Sequence, residues 1–73
     1  MIAVKIIKPG DYVSTEIEIN DIDDIKVDKI YKGRYYVKNK CRIDGKYFIK
    51  YIDKEIFNRH CFVPVQEFIN LCK

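Results

Sequence analysis

Residues 34–52 of this 73-residue chain read RYYVKNKCRIDGKYFIKYI and are its most informative segment. Two runs rich in tyrosine, valine and isoleucine flank Asp44-Gly45, a dipeptide typical of the tight turn in a β-hairpin. The segment therefore predicts two antiparallel strands that meet at this turn.

The number of residues in the turn sets the pairing register. A two-residue turn at Asp44-Gly45 would place Arg42 opposite Tyr47 and would mix charges with rings on both faces. A three-residue loop over residues 43–45, with its glycine in a left-handed conformation, would place Arg42 opposite Lys46 and would separate the faces. Because register is set by the need to bury one apolar face, we predict the three-residue loop.

This register predicts one apolar and one basic face. The apolar face would carry Tyr35, Val37, Asn39, Cys41, Tyr47, Ile49 and Tyr51. The other face interleaves cations with rings and is the predicted binding surface, made of Tyr36, Lys38, Lys40, Arg42, Lys46, Phe48 and Lys50. Single-strand binding proteins use such surfaces to hold phosphates while bases stack on the rings. Lysines on a hairpin also prevent edge-to-edge aggregation, but that role does not need Phe48.

Length and composition indicate one small β-rich domain over residues 1–73. The chain has 13 isoleucines and 6 valines against 1 leucine and 1 alanine, and β-branched residues favour strands. Seventy-three residues are enough for one domain only. We predict a mainly β fold, a small barrel of about five or six strands with a short C-terminal helical turn.

Alternating apolar residues predict the other strands. They mark strands from Ile2 to Ile7 and from Val13 to Asn20, and a short strand at Cys61 to Val63 that ends at Pro64. The last apolar residues instead have helical spacing at i, i+3, i+4 and i+7, namely Val65, Phe68, Ile69 and Cys72.

Charge is unevenly distributed along the chain. Residues 1–25 carry a net charge of −4, residues 26–52 carry +7 and residues 53–73 are neutral. The basic block indicates an anionic partner. The acidic block offers an alternative face that could replace phosphates on a basic protein surface, made of Glu16, Glu18, Asp21, Asp23 and Asp24.

Several functions have no support in the sequence. His60 and Cys61 are the only adjacent nucleophile and base, but neighbours on a strand point to opposite faces. The odd cysteine set has no close pair, and no phosphate-binding glycine motif occurs, so we predict no catalytic residue, metal or cofactor. No apolar run reaches the roughly 20 residues that span a bilayer. We expect a cytoplasmic protein without membrane or small-molecule partners.

Three segments together resemble a family of small accessory proteins from phages and mobile elements of low-GC bacteria. They are VDKIYKG at residues 27–33, the Asp44-Gly45 turn followed by Tyr47-Phe48-Ile49, and FVPVQEF at residues 62–68. The resemblance covers about residues 25–70, and the acidic stretch before residue 20 lies outside it. It implies a Src-homology-3-like barrel and a binding role directed at host or defence machinery, and it transfers no catalytic residue.

These observations favour a non-enzymatic binding module. The leading hypothesis is that the basic aromatic face holds an anionic surface, with nucleic acid favoured over an acidic protein. The alternative, implied by the resemblance, is an inhibitor from a phage or mobile element that binds a host protein, such as part of a nuclease-based defence complex.

Overall fold

A computed structural model describes residues 18–73, which form four antiparallel strands and one α-helix. The strands pair in the order β1-β2-β3-β4 in one open sheet, and helix α1 follows β4 directly. Their bounds are β1 Lys29–Tyr31, β2 Tyr35–Ile43, β3 Lys46–Asp53, β4 Arg59–Pro64 and α1 Val65–Leu71, with a 3-10 helix at Ile22–Asp24 before them. The predicted mainly β class is confirmed at this level.

Part of the prediction falls on the N-terminal segment. The strand predicted at residues 2–7, most of the strand predicted at residues 13–20, and Glu16 lie outside the described residues. Residues 18–20 are described and have no regular secondary structure.

The hairpin turn between β2 and β3 has two residues. Asp44 and Gly45 both have a positive φ, at 51° and 79°, and Ile43 pairs with Lys46. Positive φ at both central positions is what a type I′ turn requires, and its twist matches that of the flanking strands. The predicted three-residue loop is therefore wrong.

An extra residue instead lies inside β2. Val37 pairs with Tyr51 and Asn39 pairs with Lys50, so Lys38 is a β-bulge. The pairs from Tyr35 to Val37 have the predicted register, and only the pairs between the bulge and the turn are shifted by one residue. Because side chains alternate along a strand, this shift moves every later residue of β2 to the opposite face.

Helix α1 packs on one face of the sheet, here called the core face. Phe68 and Ile69 of α1 and the residue after it, Cys72, are buried, and Val65 is half-buried against the core, which confirms the predicted helical face. They join a cluster made of Ile19, Ile25, Tyr31, Tyr35, Val37, Ile49 and Tyr51. Burial raises the pKa of the Cys72 thiol to about 11, so this cysteine packs as a small apolar side chain.

Two side chains attach the segment before β1 to the sheet. The Tyr31 hydroxyl accepts a hydrogen bond from the Lys26 N–H at 2.8 Å. The Lys40 ammonium donates to the carbonyl oxygens of Ile22 at 3.2 Å and Ile25 at 2.8 Å. Lys40 is thus used to stabilise the fold.

An ion pair between the half-buried Arg34 and the buried Asp53 connects the β1–β2 turn to the end of β3. Arg34 Nε and Nη2 donate to the two carboxylate oxygens of Asp53 at 2.9 and 3.1 Å. Asp53 is 4% exposed and also accepts from the Glu55 N–H at 3.0 Å. Burial acts to raise the pKa of Asp53, but the hydrogen bonds from Arg34 and the Glu55 backbone outweigh it and leave the pKa below its ordinary value.

Candidate functional site

The face of the sheet opposite α1, here called the outer face, carries the candidate site. Pairing partners in an antiparallel sheet share a face. The register therefore places on the outer face Tyr36, Asn39, Cys41 and Ile43 of β2, Lys46, Phe48, Lys50 and Ile52 of β3, and His60, Phe62 and Pro64 of β4.

Two rings stack on the outer face across β3 and the edge strand β4. The centroids of Phe48 and Phe62 are 5.0 Å apart and their planes differ by 8°. Phe62 is 47% exposed, and Lys50 pairs directly with it across β3 and β4. A flat aromatic surface is thus open to solvent beside a positive charge.

The charges of the outer face have one sign. Lys46 and Lys50 are exposed, and Lys38 is exposed at the bulge. No outer-face position of strands β2 to β4 is a carboxylate. At the β1 side, the half-buried Tyr36 donates a hydrogen bond to Asp28 Oδ1 at 2.9 Å, so this carboxylate is partly engaged. The part of the face on β3 and β4 therefore attracts anions.

The structure brings together only part of the predicted binding surface. Tyr36, Lys46, Phe48 and Lys50 share the outer face, with Lys38 beside them at the bulge. Lys40 and Arg42 lie on the core face, because the bulge exchanges the faces of β2. The Arg42 guanidinium lies 5.3 Å from the centre of the Tyr47 ring, near the turn.

Phe62 is the residue that the sequence interpretation missed. It lies on β4, and it reaches the outer face because Lys50 pairs with it. Phe62 stands between Cys61 and Val63 in a predicted strand, so the sequence already indicated that its side chain lies on the opposite face from theirs. The five-residue connection between β3 and β4 allows more than one register, so this signal could not align Phe62 with Phe48.

The alternative acidic face is less available than its charge indicates. Asp21 Oδ1 accepts from the Asp23 N–H at 2.8 Å and the Asp24 N–H at 3.3 Å, and so caps the 3-10 helix. Asp24 accepts from the Asn20 N–H at 3.2 Å. All four described residues of this acidic face, Glu18, Asp21, Asp23 and Asp24, are exposed. Asp21 and Asp24 nevertheless already accept hydrogen bonds from neighbouring backbone N–H groups.

Other chemistry has little geometric support in the part of the chain described. His60 pairs with Ile52 and Cys61 pairs with Tyr51, so the two lie on opposite faces of β4. Within residues 18–73, no group of three or more histidine, cysteine or acidic side chains is placed to hold a metal ion. In the same range no helix is long and apolar enough to cross a membrane.

The described residues thus define a small antiparallel sheet covered on one face by a short helix, with a basic aromatic surface on the other. Comparisons with family models, curated proteins and solved structures find no match to this chain. Its function has to be argued from the outer face itself.

Proposed function

We propose that this protein binds single-stranded nucleic acid through the outer face, with Phe48 and Phe62 as the stacking surface. The observation that carries the proposal is the parallel pair of rings, 5.0 Å apart, of which Phe62 is exposed and Phe48 is half-buried, beside an exposed lysine. A surface that only prevents aggregation would need the lysines alone.

Rings and charges have separate roles in this proposal. Lys38, Lys46 and Lys50 hold phosphates, which releases counterions and makes affinity depend on salt. The rings take bases by stacking, which contributes about 1–3 kcal/mol per base and tolerates any base. We therefore expect the protein to bind an unpaired strand of any sequence. Every base has a π-face, and the phenylalanine rings carry no hydrogen-bonding group that could select among bases.

The salt dependence of affinity tests the charges. We expect the binding of a fluorescent oligothymidylate to weaken steeply with salt, with a log–log slope of about 0.7 per neutralised phosphate. Lys50→Gln should reduce the slope by about 0.7. Arg42→Gln is the matched control, since it removes an exposed cation from the core face of the same hairpin and should leave the slope unchanged. Equal effects of the two changes would contradict an outer-face site.

Removing the rings should separate stacking from charge. Phe48→Ala or Phe62→Ala should lower affinity by about 1–3 kcal/mol and leave the salt slope nearly unchanged, because stacking releases few counterions. If no single strand binds more tightly than about 0.1 mM at physiological salt, the proposal is wrong.

Two further predictions from the sequence are kept here as proposals. One is closure into a Src-homology-3-like barrel, which the open four-stranded sheet of residues 18–73 leaves as a proposal. The other is the alternative function, an inhibitor of phage or mobile-element origin that binds a host protein through the acidic residues. Failure of nucleic-acid binding would make that alternative the leading hypothesis.

A further inference from the structure

The turn between β3 and β4 carries a phenylalanine that does not serve the fold. Phe57 and Asn58 have φ values of 53° and 56°, and the Arg59 N–H closes the turn on the Ile56 carbonyl at 2.9 Å. Asparagine adopts this left-handed conformation readily, whereas a bulky ring there is a rare and strained choice. Phe57 is also 97% exposed, so packing does not compensate for the strain.

Two hydrogen bonds from Lys54 hold the turn between β3 and β4 in place. The Lys54 N–H donates to the Arg34 carbonyl at 2.9 Å, and the Lys54 ammonium donates to Asn58 Oδ1 at 3.2 Å. Arg34 is itself held by the bidentate pair with Asp53. The ring is therefore presented from an ordered loop, and binding through it would lose little conformational entropy.

Phe57 also lies five residues before Phe62, in the turn from which β4 begins. Strand β4 leads from Arg59, next to the turn, to Phe62. Residues 57 and 62 are at most about 17 Å apart, at about 3.3 Å per residue. Bases stacked about 3.4 Å apart would cover that distance in about five nucleotides. A nearly fully exposed ring at the end of the sheet can be approached from either face.

We propose that Phe57 is a second stacking platform for the same nucleic-acid strand, reached only by strands that extend past Phe62 along β4. This inference rests on the proposed function. Strained, exposed residues on ordered loops are typical of binding sites, and the exposed His60, which shares the outer face with Phe62, leaves room for a phosphate backbone between the two platforms.

Strand length tests this inference. Affinity is measured at low salt for oligothymidylates of about 4 and about 12 nucleotides, which bracket the shorter known site sizes. Phe57→Ala should weaken binding of the longer strand by about 5- to 100-fold and leave the shorter strand within about twofold. Phe62→Ala should weaken both. A longer oligonucleotide offers more binding positions and so binds more tightly for statistical reasons. Comparing each variant with the wild type on the same oligonucleotide removes this effect.

A tryptophan variant gives an independent measurement. The chain has no tryptophan, so Phe57→Trp adds a single fluorescent reporter. It should keep the affinity of the wild type, and its emission should be quenched by the longer strand and unchanged by the shorter one.

The outcomes distinguish this inference from the proposed function. If both strands bind but Phe57→Ala weakens neither or weakens both equally, the outer-face site stands and the second platform is wrong. If neither strand binds the wild type, both proposals fail. A lower melting temperature of Phe57→Ala would show that the ring packs in the fold, which also overturns the inference.

Discussion

The two aromatic clusters of this protein differ in ring geometry and in exposure to solvent. On the core face, Phe68 meets Tyr31, Tyr35 and Tyr51 at interplanar angles of 87°, 71° and 54°. On the outer face, Phe48 and Phe62 are nearly parallel, at 8°. Tilted rings interlock and fill space, as a core requires. A parallel pair leaves a flat surface to which a further planar group can be added.

The clusters also differ in their polar surroundings. Tyr31 directs its hydroxyl to backbone groups, and burial raises the pKa of the Tyr31 phenol. The outer pair has an exposed lysine beside it instead of buried hydrogen-bond partners. The core rings therefore stabilise the fold, and under the proposed function the outer rings bind the nucleic acid. Each of the following changes tests one side of this division.

The largest effect is expected at the centre of the core cluster. Phe68 is fully buried, and Phe68→Ala removes its contacts with three tyrosines. We expect the free energy of unfolding to fall by about 3–5 kcal/mol, which would leave little stability in a chain of this size. Urea unfolding followed by circular dichroism measures it. A loss below about 1 kcal/mol would contradict the role of the core rings.

A smaller effect is expected at the ion pair beside the core rings. Asp53→Asn breaks the bidentate contact with Arg34, which keeps Glu55 at 3.3 Å as a second partner. We expect a loss of about 2 kcal/mol at neutral pH, below the full value for a buried pair because Arg34 is partly exposed.

The same variant predicts a change in pH dependence. The pKa of Asp53 is lower in the folded state than its ordinary value of 3.8. The pair therefore stabilises the wild type fully above that value, and the stabilisation is lost as the pH falls through the folded pKa. Melting temperatures of Asp53→Asn should depend less on pH below about 5 than those of the wild type. Parallel curves would mean that other carboxylates dominate acid unfolding.

The smallest effect on stability is expected in the outer cluster. Phe62 is 47% exposed, so Phe62→Leu should change the free energy of unfolding by less than about 1 kcal/mol. Leucine keeps the apolar contact with Phe48 but has no flat face, so affinity for a single strand should still fall. Calorimetry measures the change in stability, and fluorescence anisotropy on the same sample measures the change in affinity for the single strand. A large loss of stability with unchanged affinity would reverse the division of roles.

Much of the fold could be predicted from local patterns. The turn at Asp44-Gly45, the strands on either side of it and the buried face of α1 all follow from short-range spacing. The candidate site was predicted less well, since four of its seven residues share the outer face, Lys38 lies at the bulge, and Lys40 and Arg42 do not lie there. The error arose at one residue. The sequence indicates that one extra residue is needed to separate the faces, but it does not show whether that residue lies in the turn or at Lys38.

The sequence by itself determined the hairpin turn, the strands beside it and helix α1. Each depends on a signal that acts within a few residues: a glycine with positive φ, an alternation of period two, or a helical spacing. Only the tertiary structure decided which side chains share a surface. The bulge at Lys38 allows Lys40 to reach the carbonyls of Ile22 and Ile25, which lie far away in the chain. The pairing of β3 with β4 brings Phe62 onto Phe48. Register is a global property because it depends on the burial of the whole sheet.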